Sequence, residues 1–501
     1  MGKKDKNKKK GKGAEKTAMK TDKKNAAKQK KLLEKIGEAD IAQVVANLEA
    51  EQARLKTVIE TTCLPPTPRS SFTLVAHPEK EELIMFGGEF FNGQKICIYN
   101  DLFFYNIAKN EWKQIQSPGG PTPRSGHQMV SVASDGGQLW LFGGEHASPS
   151  QLQFYHYKDL WVMSLKTKSW EKITAPNAPS PRSGHRMVAS KKKLFIFGGF
   201  HDNNQSYKYH NDVHIFSLES YTWLKFEVQG AIIPPPRSAC CMAPCPDGKI
   251  LIWGGYSKSN VKKDVDRGIT HTDMYLLNPD KYTPNQKFKW TTVKAGGINP
   301  LPRSSVGCAV AATNKAYCFG GVMDIEEDEE DLRGQFGSDL YCLDLASPTW
   351  RLIEVNKTPK SSKEDDDMED ATEVPAAQTT TDGVFTITVG GSSSGAPKMP
   401  SLFGKAPSNK SVPSPRMNPG LCVCKGTLYM FGGIFEEDNK QYTYNDFYSL
   451  DLHKIGAWKT IIPNNLNPHD WIDSDSDGSS SSENSDEEDT STDSGSDMDT
   501  D

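Results

Sequence analysis

The chain of 501 residues contains 11 His, 16 Tyr and 10 Cys, the side chains with which it could do chemistry. Oxidation at a bound copper would need a set of His and Tyr ligands, and a radical cofactor would need a Cys beside a Tyr. His127 and His185 come nearest, because each follows a Pro-Arg pair by three residues. The equivalent places elsewhere hold Phe72, Cys240, Val306 and Pro419. A His that returns at a fixed phase in only some copies of a motif reads as a strand residue, not as a metal ligand. No nucleophile elbow, Walker loop, CxxC or HExxH is present, and Ser70 and Ser125 read as turn residues. The cysteines have neither zinc nor disulfide-framework spacing. Cys240, Cys241 and Cys245 cluster, and Cys422-Val-Cys424 puts two thiols on one face of a strand; both read as reduced, buried thiols. No catalytic residue, metal or cofactor is expected.

The elements that position these residues are set by a phrase that returns six times. Pro-Arg is followed by an apolar run ending in Gly-Gly, then an Asp before an aromatic stretch, then a Trp. The arginines are Arg69, Arg124, Arg182, Arg237, Arg303 and Arg416, and the Gly pairs end at Gly88, Gly144, Gly199, Gly255, Gly321 and Gly433. Asp101, Asp159, Asp212, Asp273, Asp339 and Asp446 follow, then Trp112, Trp170, Trp223, Trp290, Trp350 and Trp458. Successive arginines are 55, 58, 55, 66 and 113 residues apart, the last being one period plus an insertion. A period of roughly 50 residues predicts a propeller with four strands to a blade. Runs such as Leu139-Trp-Leu-Phe142 read as buried strands. The Gly pair supplies conformations for an abrupt turn. The Asp is expected to close a turn through neighbouring backbone N–H groups. The Trp opens an outer strand that covers the next blade.

These residues resemble the kelch family over nearly the whole chain. Phe91-Asn-Gly-Gln-Lys95, Phe154-Tyr-His-Tyr-Lys-Asp-Leu160, Gly255-Tyr-Ser-Lys258 and the lysine-rich start with Gly13-Ala-Glu-Lys-Thr17 are similar to one subfamily of it. The resemblance implies an all-β fold, a six-bladed kelch β-propeller with a short N-terminal helix and disordered charged tails. It also implies that the six motif arginines can line a binding mouth and take carboxylates of a partner; the alternative is that each pins a blade-to-blade turn. Trp458-Lys-Thr-Ile-Ile462 completes blade six, while an N-terminal strand near Leu55–Ile59 competes for the position that closes the ring.

Outside the ring, composition assigns the rest. Residues 1–31 hold 14 Lys and 3 acids, and residues 470–501 hold 13 acids with no Lys or Arg; both ends are too polar to bury a core. The expected layout is a lysine-rich arm (1–31), an amphipathic helix (32–60), the propeller (61–463, blades near 64–118, 119–176, 177–230, 231–296, 297–355 and 411–463), a disordered insertion (356–413) and an acidic tail (464–501). The helix has a capping box from Asp40 and Gln43 and an apolar stripe of Ile41, Val44, Val45 and Leu48. It either packs on the propeller or takes a partner. The arm has no Arg and no aromatic, so contact with RNA through residues 3–31 would be nonspecific and salt-sensitive; it equally suits an address signal or an inert tail. Ser485-Asp-Glu-Glu488 suits an acidophilic kinase. No secretory signal or membrane span is expected, which places the chain inside the cell, in the nucleus, nucleolus or cytoplasm.

In an up-and-down blade, the connections from second to third strand share one face with those between blades. The second-to-third connections are longer than a hairpin needs and are read as structureless loops. They are rich in aromatics and His: Tyr99 in blade one, Tyr155, His156 and Tyr157 in blade two, Tyr207 and Tyr209 in blade three, Tyr444 in blade six. Blade four adds Lys262, Lys263 and Arg267, beside the acidic Glu326–Asp331 of blade five. With the six arginines, these are the candidate partner-binding residues. The expected function is a non-catalytic scaffold, monomeric, binding a protein partner through this face, with a link to ribosome or RNA-related processes through the arm. The alternatives are a substrate receptor of a ubiquitin ligase, for which no BTB, BACK or F-box segment precedes the ring, and a metal-dependent enzyme.

Overall fold

Each copy of the repeat forms one antiparallel sheet, and six sheets stand around an axis in a computed structural model of the protein. The structure describes residues 31, 33–202, 206–262, 265–284, 286–328, 331–355, 379–382, 385–388, 412–437, 440–464 and 469–470; for 260–262, 265–266, 326–328, 331–332, 379–382, 385–388 and 469–470 it describes the backbone alone. Blade two shows the pattern. Gln128–Val132, Gln138–Phe142, Leu160–Ser164 and Ser169–Ile173 run outward from the axis in chain order. The second and third strands are buried almost throughout, so they carry apolar residues on both faces and do not alternate.

The motif tryptophans do cover the neighbouring blade, and always at the same place. Each packs edge-on against the last large ring before the Gly pair of the preceding blade. Trp170 meets Phe86, Trp223 meets Phe142, Trp290 meets Phe197, Trp350 meets Trp253, and Trp458 meets Phe319, with centroids 5.6–6.0 Å apart. Trp112 of blade one meets Phe431 of blade six at 6.0 Å, which continues the pattern across the closure. Edge-to-face pairs of this kind add to the area they bury.

Of the two strands expected to compete for the closing position, the C-terminal one takes it. Lys459–Ile462 completes blade six, as its Trp implies. The N-terminal strand is Ile59–Cys63, and it does not enter blade six at all. It pairs antiparallel with Glu111–Gln116 as a fifth, outermost strand of blade one. Blades four and five gain an outer strand too, from Glu227–Gln229 and Gly296–Gly297, each paired in parallel.

The helix is Ile41–Gln52, with Asp40 as N-cap accepting from the Ala42 and Gln43 N–H groups. The reciprocal half of the capping box is missing, because Gln43 turns its amide to Asn47. The apolar stripe faces inward, Val45 being buried. The Gln153 side chain accepts from the Ile41 N–H at 3.1 Å and donates to the Ala39 carbonyl at 2.9 Å, docking the helix on blade two. In the insertion, Thr379–Asp382 and Phe385–Thr388 pair as a hairpin; the rest of 356–411 lies outside the described residues, as do the arm up to residue 30 and the tail from 471.

Candidate functional site

The long second-to-third connections are not structureless. In blades one to five they fold back as two-stranded ribbons: Glu89–Phe91 with Ile96–Ile98, Glu145–Ala147 with Phe154–His156, Phe200–Asp202 with Tyr207–Tyr209, Tyr256–Lys262 with Val265–Thr270, and Val322–Asp328 with Asp331–Phe336. In blade six the blade strands themselves lengthen into the ribbon, Thr427–Glu437 against Lys440–Asp451. Every ribbon is started by a bridge. The residue after the Gly pair bonds to the residue after the motif Arg, as in Ser70 with Glu89 and Ser125 with Glu145. The six ribbons stand on one face.

Beneath them lie the six arginines, each buried to 7% exposure or less. One arrangement recurs. The Nε donates to the carbonyl two residues back, Nη1 donates to the first Gly of the pair, and the guanidinium binds the motif Asp of its own blade. In blade six these distances are 3.0 Å to Ser414, 3.0 Å to Gly432 and 2.6 Å to Asp446. Arg69–Asp101 is 3.2 Å, Arg124–Asp159 is 2.7 Å, Arg182–Asp212 and Arg237–Asp273 are 2.6 Å, and Arg303 pairs with Asp339. The motif Asp thus serves the Arg, a pairing across some 30 residues that the local turn reading did not include. Burial pushes the Asp159 and Asp212 carboxyls up, but their bonds to arginine outweigh it and hold both below the usual carboxylate range.

Aromatic rings complete this seam. Arg69 lies over Tyr99 at 4.2 Å, Arg124 over Tyr157 at 3.8 Å and Arg416 over Tyr444 at 4.1 Å. In blade five the same place is Gly337, where a Cβ would stand 2.7 Å from the Arg303 guanidinium. The Arg carbonyls and N–H groups join the blades. Gly88, Gly144, Gly199, Gly321 and Gly433 donate to the Arg carbonyl of the following blade at 2.9–3.1 Å. Tyr99 and Tyr157 accept from the next Arg N–H, and Tyr444 accepts from Arg69.

The candidate residues therefore fall into two sets. The six arginines, Tyr99, Tyr157 and Tyr444 belong to the seam, where they meet partners within the protein, and the buried His156 joins them through its Nε2 alone. Tyr155, Tyr207 and Tyr209 are half-buried on the ribbons, and Arg267 is exposed. Lys258 is exposed on the same ribbon as Arg267. Lys262 is described by its backbone alone and Lys263 lies outside the described residues. The blade-four ribbon packs beside that of blade five.

The axis holds a cavity of about 920 Å³, lined by the first strand of every blade. Glu145, Phe200, Tyr209, Tyr256 and Asp324 line it on the ribbon side. Sequence reasoning missed these acids. Its available signal was a Glu directly after the Gly pair in blades one and two, where the other blades carry Phe200, Tyr256, Val322 and Ile434. Burial, then the nearby Glu89 carboxylate, pushes Glu145 up to about 8 against a single Ser183 hydroxyl that donates to it at 3.0 Å. His156 stands 3.5 Å from Glu145 but is held neutral: burial and the stacked His201 bring it down to about 3, and its Nε2 accepts from the Asp202 N–H.

His127 and His185 sit in the seams, not in a ligand set. Burial, then the adjacent motif Arg, lowers both, His127 to about 3, and His127 Nε2 bonds Thr73. All ten cysteines are free; Cys240, Cys241, Cys245, Cys422 and Cys424 are buried as expected, while Cys97 is exposed and Cys63 and Cys308 are half-buried. No helix among the described residues is long and apolar enough to cross a membrane.

The family model described as "FBX42, beta-propeller domain" matches residues 69–278. Host cell factor 1 of Homo sapiens is 28% identical over 335 residues, covering 62% of this chain and 15% of that protein. Host cell factor of Drosophila melanogaster is 26% identical over 328 residues, covering 60% of this chain and 20% of that protein. Kelch domain-containing protein 2 of Mus musculus is 26% identical over 215 residues, covering 40% of this chain and 51% of that protein. The chain thus spans well under two thirds of the length of these relatives. The repeated seam, the ring of sheets and these likenesses agree on one architecture: the chain is a six-bladed β-propeller.

Proposed function

We propose that this chain is a non-catalytic scaffold that binds a protein partner on its ribbon face. The observation that carries the reading is the division of labour on that face. The seam arginines and aspartates are saturated by one another, so they set the blades, while the ribbons above them raise half-buried aromatics and the exposed Lys258 and Arg267 around the axial cavity. Aromatic side chains on a rigid base offer contact area at low entropic cost, and exposed cations at a rim steer a partner more than they hold it. Partner contact is assigned to Tyr155, Tyr207, Tyr209 and Arg267, with Lys262 and Lys263 added from the sequence alone; the arginines support the face from below. The closer likeness to kelch domain-containing protein 4 and its fungal relatives belongs to this reading, as does a role for the lysine-rich arm, residues 3–31, in ribosome or RNA-related processes.

Proximity labelling with the full chain tests it. The double variants Tyr155→Ala/Tyr207→Ala and Lys258→Glu/Arg267→Glu are expected to lose the principal labelled proteins at unchanged melting temperature. An unaltered set of labelled proteins in both variants would remove the ribbon face as the binding site.

A further inference from the structure

Blades four and five bring together three thiols that lie far apart in the chain. Cys308 and Cys318 face one another in register on the first two strands of blade five. Cys241 stands on the first strand of blade four, in the apolar cluster that joins the two blades. The three sulfur atoms all lie within 4.8 Å of one another. Three thiolates at the zinc–sulfur distance of about 2.3 Å from one ion stand about 4 Å apart, so the triangle needs little adjustment to hold one.

The blade does not require thiols at these places. At the position of Cys308 every other blade carries Leu or Met, and at that of Cys318 every other blade carries Leu, Ile or Met. The triangle is also reachable. Cys308 lines the axial cavity, while Cys241 and Cys318 line a separate cavity of about 430 Å³ between blades four and five.

We propose that Cys241, Cys308 and Cys318 form a three-thiolate site for one thiophilic ion, Zn(II) or Cu(I). Soft sulfur ligands select these ions over hard divalent cations, and coordination displaces the thiol protons to solvent. A bound ion would cross-link two blades that otherwise meet through apolar packing.

The full chain, stripped of metal under anaerobic reducing conditions, would be titrated with Zn(II) against a chromophoric chelator and separately with Cu(I) against bicinchoninate. One ion per chain is expected for at least one of the two, with a raised melting temperature and three thiols shielded from iodoacetamide. Cys308→Ala and Cys318→Ala are each expected to weaken binding by at least about 100-fold, the upper end of what losing a mere supporting contact costs. Cys245→Ala, outside the triangle, should bind as wild type. If Cys318→Ala does not fold, the half-buried Cys308→Ala and the shielding pattern of the wild type decide. The site is overturned if neither ion competes with its chelator, if Cys308→Ala keeps its full equivalent, or if the shielded thiols are others.

Discussion

Glu145 lies where two influences resist its ionisation, burial first and then the Glu89 carboxylate. Its carboxyl titrates at about 8 in the folded protein against an ordinary 4.5. A group raised in this way stabilises the fold fully below the unfolded value, and that contribution is lost as pH rises through the folded one. Glu145→Gln removes the titration while keeping the shape. At pH 4.5 the variant should unfold much as wild type does. At pH 9 it should be more stable by about 2 kcal/mol, since each tenfold gain in proton affinity on folding is worth roughly 1.4 kcal/mol and solvent screens part of it. Urea denaturation at the two pH values reads this directly, and parallel pH profiles would refute the raised carboxyl. The seam pairs behave oppositely: Asp159 and Asp212 are lowered, so what they contribute is present above pH 4 and fails only in stronger acid.

At the scale of elements, the N-terminal helix is held at its start by Gln153 of blade two, and further along by the Gly119 N–H on the Gln52 carbonyl at 3.3 Å and the Lys172–Glu49 pair at 3.5 Å. Gln153 is buried, and its amide satisfies both the Ile41 N–H and the Ala39 carbonyl. An Ala there leaves the Ile41 N–H and the carbonyl of the exposed Ala39 to water, a net loss of about 1 kcal/mol for each hydrogen bond. Gln153→Ala is therefore expected to release Ile41–Gln52 while the ring stays folded. Limited proteolysis should cut the variant within residues 41–52 at a protease level that spares the wild type; equal resistance would mean that Val45 packing and the Gly119–Gln52 and Lys172–Glu49 contacts hold the helix without Gln153. The helix itself was legible, because its cap and stripe are local. The blades were legible because one phrase fixes strand, turn and ring contact in every copy. The ribbons were not, since strands such as Glu89–Phe91 and Phe154–His156 are three residues long and mix polar with aromatic residues. Arg416 with Asp446 and Cys241 with Cys308 were invisible for a different reason. Partners 30 and 67 residues apart meet only once the sheets have formed, and no short-range spacing records that.

The whole molecule is a ring with one seam unlike the rest. At five seams the chain itself passes from blade to blade, but blade six meets blade one without a covalent link. Many propellers strengthen that seam with a strand borrowed from the other terminus. Here Ile59–Cys63 lies on the outer edge of blade one, largely exposed, and leaves the seam to side chains and two backbone bonds. The side chains are those of one cluster, Phe72 and Leu74 from blade one with Phe431 and Phe447 from blade six among them and Cys63 packed at its margin, together with the Lys425–Glu81 ion pair at 2.6 Å. The bonds run from Gly433 N–H to the Arg69 carbonyl at 3.1 Å and from Arg69 N–H to the Tyr444 carbonyl at 3.2 Å. Gly433 holds φ at 104°, and a Cβ there would stand 2.8 Å from the Met417 carbonyl. Gly433→Ala is thus expected to cost about 2 kcal/mol or more, and to cost it at the closure. Removing residues 1–63 should act mainly elsewhere, baring the edge of Glu111–Gln116 and the blade-two surface on which Ile41–Gln52 docks. Hydrogen exchange separates the two. With Gly433→Ala, amides of Thr73–Ala76 and Gly420–Cys424, the strands that face each other across the seam, should exchange faster. With the truncation, faster exchange should appear in the outer strand of blade one and in the blade-two ribbon that held the helix, and not in Gly420–Cys424. Faster exchange in Gly420–Cys424 after truncation, with Gly433→Ala silent, would instead make the N-terminal strand part of the closure.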